Sequence, residues 1–97
     1  MSISAKSVNG VVTITLDNSF DFDSVADFRN AYVNNPGKEY LVDFRNTEYM
    51  ESSGLGMLLN MLKYLGETNT VIRLINCRPH IQRVLKISNF QKKFDIG

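Results

Sequence analysis

Three apolar segments with the character of β-strands alternate along the chain with segments of helical periodicity. The strand-like segments at 11–16, 39–44 and 70–76 are short and rich in β-branched or aromatic residues, and residues 94–96 are long enough for a short final strand. Strands that are joined by helices usually run parallel in one sheet. The order therefore predicts an α/β fold, with a small mixed sheet of about four or five strands and helices packed on it.

The first strong strand, at 11–16, alternates apolar and polar residues and is predicted to be half-buried. Its inward residues are predicted to be Val12, Ile14 and Leu16. Asn9 and Gly10 precede it and are a strong hairpin signal, so residues 2–7 are predicted to pair with it. The segments at 39–44 and 70–76 are almost continuously apolar and are predicted to be buried strands.

The first and third helices have recognisable ends. The first is predicted to begin with a capping-box-like pair at Ser24 and Asp27 and to end before Pro36. The third is predicted to begin near Pro79 and to end at Asn89. Their inward residues are predicted to be Val25, Phe28 and Tyr32 in the first helix, and Ile81, Val84 and Leu85 in the third.

The second helix, predicted over 53–65, carries two apolar stripes. Helical spacing predicts a core stripe made of Leu55, Leu58, Leu59, Leu62 and Leu65. A second stripe, formed by Met57, Met61 and Tyr64, lies on nearly the opposite side. It is predicted to be either an exposed docking strip or a surface packed against a neighbouring helix.

Length and composition indicate one soluble globular domain over residues 1–97, because 43% of the residues are hydrophobic and 22% are charged. No apolar run approaches the ~20 residues needed to span a bilayer, which argues against direct membrane insertion. The first residues lack the apolar core of a signal peptide, and the lone Cys77 cannot form an internal disulfide. We therefore expect a cytoplasmic protein.

The charges are unevenly distributed along the chain. Residues 1–51 hold four Lys/Arg and eight Asp/Glu, a net of −4, whereas residues 52–97 hold seven and two, a net of +5. The basic residues are scattered through a predicted strand, a helix and the tail instead of lining one aromatic face. Nucleic-acid binding is therefore not expected.

No catalytic or cofactor-binding set is complete. The glycines of "ESSGLG" follow the serines instead of flanking one of them, as a nucleophile elbow requires, and His80 is the only histidine. Gly54 and Gly56 lack the third glycine of a dinucleotide site, and no Gly-Lys-Ser/Thr follows. One histidine and one cysteine offer no metal-ligand spacing. The sequence predicts no enzyme activity, no metal and no cofactor.

The serine pair at the start of the second helix has two interpretations. One of Ser52 and Ser53 is predicted to be the helix N-cap, which accepts a free backbone N–H. Gly54 and Gly56 cost about 1 kcal/mol each relative to alanine in a helix, a cost that is tolerable where another surface approaches closely. A glycine-flanked serine there is also accessible to a kinase, and a phosphate would lie at the positive end of the helix dipole.

The segment "LVDFRNTEYMESSGLGMLL" resembles the signature of STAS domains, in particular the stand-alone anti-sigma factor antagonists of bacterial partner-switching systems. Their pattern is a buried strand, a short loop, and Asp-Ser-Ser/Thr-Gly-Leu-Gly opening a helix. The similarity extends through "NSFDFDSVADFR" to the C-terminal "IRLINCRPHIQRVLKISNFQKKFDIG". The chain departs from the pattern in having Glu51 in place of the aspartate and in lacking the final helix of longer members.

The resemblance implies that Ser52 is phosphorylated by a partner kinase, with Ser53 as an outside candidate, and that Asp21 is either an acidic residue beside that site or a turn residue. The unphosphorylated protein would bind a kinase-type anti-sigma factor, and a PP2C-type phosphatase would remove the phosphate. One response regulator could carry both the kinase and the phosphatase. A diguanylate cyclase is a further possible target. The residues expected to contact the partner are Phe20, Asp21, Phe22, Asp23, Glu51, Ser52, Ser53, Gly54, Leu55, Gly56, Met57 and Met61.

Two other functions remain open. The same domain could be a non-switching subunit of a membrane transporter assembly, bound regardless of phosphorylation. It could also sense a nucleotide or another small ligand through the same loops.

Overall fold

The computed structural model describes residues 3–66 and 70–97. Its strands are β1 (Ser4–Val8), β2 (Val11–Thr15), β3 (Ser19–Phe20), β4 (Glu39–Asp43), β5 (Tyr49–Met50), β6 (Val71–Ile75) and β7 (Asp95–Ile96). Its α-helices are α1 (Val25–Val33), α2 (Ser52–Leu65) and α3 (Pro79–Ile87), and short 3-10 helices cover Phe22–Ser24 and Phe90–Lys92.

The main sheet has five strands in the order β1-β2-β4-β6-β7. β1 and β2 are antiparallel, and the other neighbouring pairs are parallel. The predicted hairpin is confirmed, since Val8 lies opposite Val11, and Asn9 and Gly10 have the positive φ angles of 52° and 84° that a tight turn requires. Residue 2, at the start of the predicted partner strand, lies outside the described residues. The predicted α/β fold, with a small mixed sheet of four or five strands, is therefore confirmed.

A second, two-stranded sheet was not predicted. In it β3 and β5 run parallel, with Ser19 opposite Tyr49 and Phe20 opposite Met50. Each strand is only two residues long, so neither shows a measurable alternation in the sequence. This small sheet joins the segment before α1 to the segment before α2.

The core lies on one face of the main sheet. The alternate residues of β2, β4 and β6 point to it, and the helices contribute the remaining large side chains. The fully buried strand residues are Val12, Ile14, Tyr40, Val42 and Leu74. Strand β6 is buried on this face only, because Val71 and Arg73 on the other face are exposed. The prediction of a fully buried strand over 70–76 is therefore correct only for the alternate residues Ile72 and Leu74.

Helices α1 and α3 form where predicted, with corrections at single residues. Val25 and Val84 were expected to point inward, but both are 39% exposed, since Phe28, Ala31 and Tyr32 fill the α1 interface and Ile81 and Leu85 fill that of α3. The capping box lies three residues earlier than expected: Asp21 accepts from the Asp23 N–H, and the Asp21 N–H donates to Ser24. That pair caps a 3-10 turn and not α1 itself.

Helix α2 buries a different face from the predicted one. Met57, Leu58 and Met61 are 6%, 0% and 0% exposed, whereas Leu59, assigned to the core stripe, is 40% exposed. The other leucines of that stripe, Leu55, Leu62 and Leu65, are half-buried. The exposed-strip alternative is therefore wrong for Met57 and Met61, and the packing alternative is correct. Tyr64 is half-exposed and packs against α1, with its ring 5.5 Å from that of Tyr32.

Candidate functional site at the start of helix α2

The small β3–β5 sheet brings two distant loops together at the start of α2. The Glu51 N–H donates to the Phe20 carbonyl over 3.2 Å, directly after the Phe20–Met50 pair. The loop that follows Phe20 therefore lies beside the first turn of α2. This contact brings together the two segments, 20–23 and 51–56, that the resemblance singled out.

Neither serine is the N-cap of α2. The helix begins at Ser52, one residue earlier than predicted, and Glu51 is the N-cap, with extended backbone angles and no hydrogen bond from its side chain to the first turn. Glutamate is a poor capping residue because its carboxylate is one methylene further from the backbone than that of aspartate. The prediction that one serine caps the helix is therefore wrong.

The two hydroxyls lie in opposite environments because consecutive residues point about 100° apart around a helix. Ser52 is exposed, and its side chain makes no hydrogen bond with another described residue. The Ser53 residue is half-buried; its hydroxyl oxygen is fully buried and has no hydrogen-bond partner among the described residues. Ser52 is therefore the hydroxyl that an external enzyme can reach.

Gly54 and Gly56 have different explanations. A Cβ on Gly54 would lie 2.8 Å from Phe20 Cδ2 and 2.9 Å from Met50 Cγ, so Gly54 is required by contacts within the chain itself. Gly54 is buried and offers little surface to the partner that it was predicted to contact. Gly56 is exposed, and a Cβ there would meet nothing within 4 Å. Only Gly56 leaves open space for an approaching surface.

The loop that contacts the start of α2 presents one large apolar side chain to solvent. Phe20, predicted to contact a partner, is fully buried against Phe28, with ring centroids 5.0 Å apart, and presents no side-chain surface to solvent. Phe22 is 74% exposed, and the Asp23 side chain is exposed beside it. Asp21 is half-buried; its carboxylate accepts from the Ser19 hydroxyl over 2.7 Å and from the Asp23 N–H over 3.0 Å, so Asp21 is the capping residue of the 3-10 turn, as the turn-or-cap alternative predicted.

Sequence reasoning missed a cleft that reaches the N-cap of α2. It is open, has a volume of about 770 Å³, and is lined by Ser19, the 48–51 segment, Arg78 and His80. Tyr49 is 63% exposed at its edge. Arg78 and His80 follow β6 and so begin α3 at the same edge of the sheet, but no motif relates them to Ser52. Only the predicted parallel sheet, whose strands end at one edge, could have placed them together.

A buried carboxylate, Asp43, lies at the end of β4, and a buried thiol, Cys77, follows the end of the neighbouring strand β6. Asp43 is 2% exposed and accepts from the Arg45 N–H and Nε and from the Asn76 side-chain amide. Burial, with a smaller contribution from Asp43, raises the pKa of the Cys77 thiol to about 11. A thiol held in its neutral form is a poor nucleophile, so the interpretation of Cys77 as a buried structural residue is confirmed.

Within the described residues, no three His, Cys, Asp or Glu side chains are grouped so that they could hold a metal ion. None of the described helices has the length and apolar composition required to cross a membrane.

Comparison with known proteins assigns the family. The family model for the STAS domain matches residues 2–97. A STAS-domain-containing protein of Pseudomonas aeruginosa is 44% identical over 88 residues, which cover 89% of this chain and 87% of that protein.

Solved structures of anti-sigma factor antagonists share the fold. One from Mycobacterium paratuberculosis superposes with a TM-score of 0.83 at 16% identity, over 98% of this chain and 83% of that one. The Bacillus protein SpoIIAA has been solved in unphosphorylated and phosphorylated forms, and each superposes on 99% of this chain with a TM-score of 0.73. The unphosphorylated form is 22% identical, with 87% of its chain covered, and the phosphorylated form is 21% identical, with 91% of its chain covered. The matched family model, the Pseudomonas relative and the shared architecture all lead to one assignment: this chain belongs to the STAS domain family.

Proposed function

We propose that this chain is an anti-sigma factor antagonist of a partner-switching pathway, controlled by phosphorylation of Ser52. The observation that supports this most is the Ser52 hydroxyl, which lies at the first residue of α2, is exposed and is not used to cap the helix. The antagonists with the same fold include one solved both with and without phosphate. The protein is a ligand and a substrate of other enzymes, and is not itself an enzyme.

In the unphosphorylated state, the partner is a kinase-type anti-sigma factor that binds around Ser52. Its footprint includes the exposed Phe22 and Asp23 on one side and Glu51, Leu55 and Gly56 along α2. Phe22 supplies the exposed aromatic surface that interface centres favour. The buried Phe20, Gly54, Met57 and Met61 support this footprint from beneath without touching the partner.

Phosphorylation adds a charge of roughly −1.5 to −2 at Ser52. The fold tolerates it, because the first turn of a helix offers free N–H groups and the positive end of the dipole. The complex does not, since a hydrated dianion would have to be desolvated against a surface fitted to a neutral hydroxyl. A loss of ~2–4 kcal/mol weakens the complex by roughly thirty- to a thousand-fold, and a PP2C-type phosphatase reverses the change.

The test is to incubate the protein with ATP and its cognate kinase and to locate the phosphate by mass spectrometry. Ser52→Ala should abolish phosphorylation, and Ser53→Ala, whose lost hydroxyl is buried, is the matched control that should leave it intact. Ser52→Asp should weaken anti-sigma factor binding in calorimetry. Phosphorylation that survives in Ser52→Ala would refute the assignment.

The two other functions predict different binding. A transporter subunit would bind its membrane partner equally well as Ser52→Ala and Ser52→Asp. A ligand sensor would show a thermal shift with nucleotides or small ligands in the absence of any protein partner.

A further inference from the structure

The loop between β4 and α2 is attached to the rest of the chain from two sides. On one side it meets the segment that leads into β3. The Thr47 hydroxyl donates to the Asp17 carbonyl over 2.8 Å, and the Glu48 and Tyr49 N–H groups donate to the Asn18 carbonyl over 2.8 and 3.1 Å. These bonds use the donors of the loop and leave its carbonyl oxygens to be satisfied elsewhere.

Side chains at the start of α3 satisfy those carbonyls. Arg78 donates from Nε to the Thr47 carbonyl over 3.0 Å and from Nη2 to the Arg45 carbonyl over 3.3 Å. His80 Nε2 lies 2.7 Å from the Glu48 carbonyl, and because a carbonyl only accepts, this nitrogen carries the hydrogen. The three bonds span more than 30 residues of sequence and end three residues before the N-cap of α2.

We propose that Arg78 and His80 are positioning residues for the Ser52 hydroxyl: they hold the 45–48 segment and thereby fix where the kinase finds its acceptor. This inference rests on the proposed phosphorylation of Ser52. Only Tyr49, Met50 and Glu51 separate Glu48 from Ser52, so the anchored carbonyls lie close to the acceptor along the chain. The core beneath is closed by the buried Met57 and Leu58.

Phosphoryl transfer makes the position of the hydroxyl important. Ser52 Oγ forms a bond to the γ-phosphorus of ATP while the bridging P–O bond breaks; ADP leaves with that electron pair, and the hydroxyl proton passes to a base of the kinase. Attack requires the acceptor close to the phosphorus and in line with the leaving oxygen, and a misplacement of about 1 Å can cost roughly a hundredfold in rate. A loosened loop therefore lowers kcat more than it raises KM.

Four substitutions and one control test the proposal. Arg78→Met keeps the aliphatic stem but removes both donors, and Arg78→Lys offers one point charge in place of the guanidinium fork. His80→Leu removes the ring donor, whereas His80→Gln restores an N–H that can reach a carbonyl. Arg83→Met is the control, because Arg83 is an exposed α3 residue that makes no hydrogen bond or ion pair with the described residues.

With ATP and the cognate kinase, Arg78→Met should lower kcat/KM for Ser52 phosphorylation about tenfold, mostly in kcat, because it removes both charge-assisted bonds that hold the loop and so misplaces the acceptor. His80→Leu should lower it about fivefold, and His80→Gln and Arg83→Met should match wild type. Arg78→Lys should fall between Arg78→Met and wild type. All variants should be fully folded at the assay temperature, although Arg78→Met should melt several degrees below wild type because it loses two hydrogen bonds.

Hydrogen exchange measures the position of the loop without any kinase. The amides of residues 47–51 should exchange at least threefold faster in Arg78→Met and His80→Leu, and at the wild-type rate in Arg83→Met and His80→Gln. Unchanged exchange in Arg78→Met, or faster exchange with wild-type phosphorylation kinetics, would overturn the inference while leaving the proposed function intact. If the wild-type protein is not phosphorylated on Ser52, the proposed function fails and the inference fails with it.

Discussion

Replacing Gly54 with alanine should destabilise the fold, although alanine is the better helix former. Gly54 lies in the first turn of α2 and is buried. A Cβ there would approach Phe20 Cδ2 to 2.8 Å, Met50 Cγ to 2.9 Å and the Phe20 carbonyl oxygen to 3.1 Å. The methionine can adjust, but the Phe20 ring is held by Phe28 and Phe44, and its carbonyl accepts the Glu51 N–H.

Two opposing contributions determine the size of the effect. Alanine favours a helix interior by about 1 kcal/mol relative to glycine. Overpacking a filled core costs typically 1–3 kcal/mol, and the upper half of that range applies because one of the three neighbours is a backbone atom. The free energy of unfolding should therefore fall by about 1–2 kcal/mol. For a domain of this size that lowers Tm by roughly 5–15 °C.

Gly56→Ala provides the matched control within the same helix. A Cβ there meets nothing within 4 Å, and the residue is exposed, so only the helix propensity changes. Gly56→Ala should raise the free energy of unfolding by about 0.5–1 kcal/mol. Urea unfolding followed by circular dichroism measures both variants, provided that their m-values agree. A Gly54→Ala protein as stable as Gly56→Ala would refute the close packing of α2 against Phe20.

Three further predictions concern the buried and capping residues. Met61→Lys should lower the free energy of unfolding by more than about 3 kcal/mol, because it places a charge at a fully buried position, and thermal melting would show it. Glu51→Asp should raise that free energy by about 0.5–1 kcal/mol in urea titrations, because the shorter carboxylate can accept a first-turn N–H of α2. Cys77 should react slowly with iodoacetamide at pH 8 unless urea is present, because the pKa of its thiol in the folded protein, about 11, is above the ordinary value. For the same reason, the stability that the neutral thiol contributes should be lost as the pH rises from about 9 through 11, and this loss should be absent in Cys77→Ala.

The main sheet and its helices were predictable because their patterns have distinct periods. The alternation in 11–16 and the Asn9-Gly10 turn allow only one pairing, and Pro36 and Pro79 mark helix ends that agree with the structure. The β3–β5 sheet was not predictable, since a two-residue strand has no period. Its existence depends on the contact between two loops that are thirty residues apart.

The buried face of α2 was not predictable for a different reason. Leucine and methionine form two apolar stripes, which the polar or small residues Ser52, Gly56, Asn60 and Lys63 separate on one side of the helix only, so hydrophobic spacing alone fitted both stripes. The packing of the neighbouring elements decides which face is buried: α1 packs on the side of Tyr64, through Tyr32, and Met57 and Met61 are buried in the core. The family motif directed attention to Ser52, but the exposure of its hydroxyl could not be predicted, because the sequence does not show at which residue the loop ends and the helix begins.

The buried hydroxyl of Ser53 leads to a last prediction about the serine pair. With no hydrogen-bond partner among the described residues, this oxygen loses its hydration on folding and regains nothing. Ser53→Ala removes that cost and adds a better helix former, so the free energy of unfolding should rise by about 0.5–1 kcal/mol in urea titrations. Ser52→Ala, at the exposed neighbour, should change it by less than about 0.5 kcal/mol. If Ser53→Ala instead loses 1 kcal/mol or more, the hydroxyl has a partner, and Ser53 is held in place by hydrogen bonding and not by packing alone.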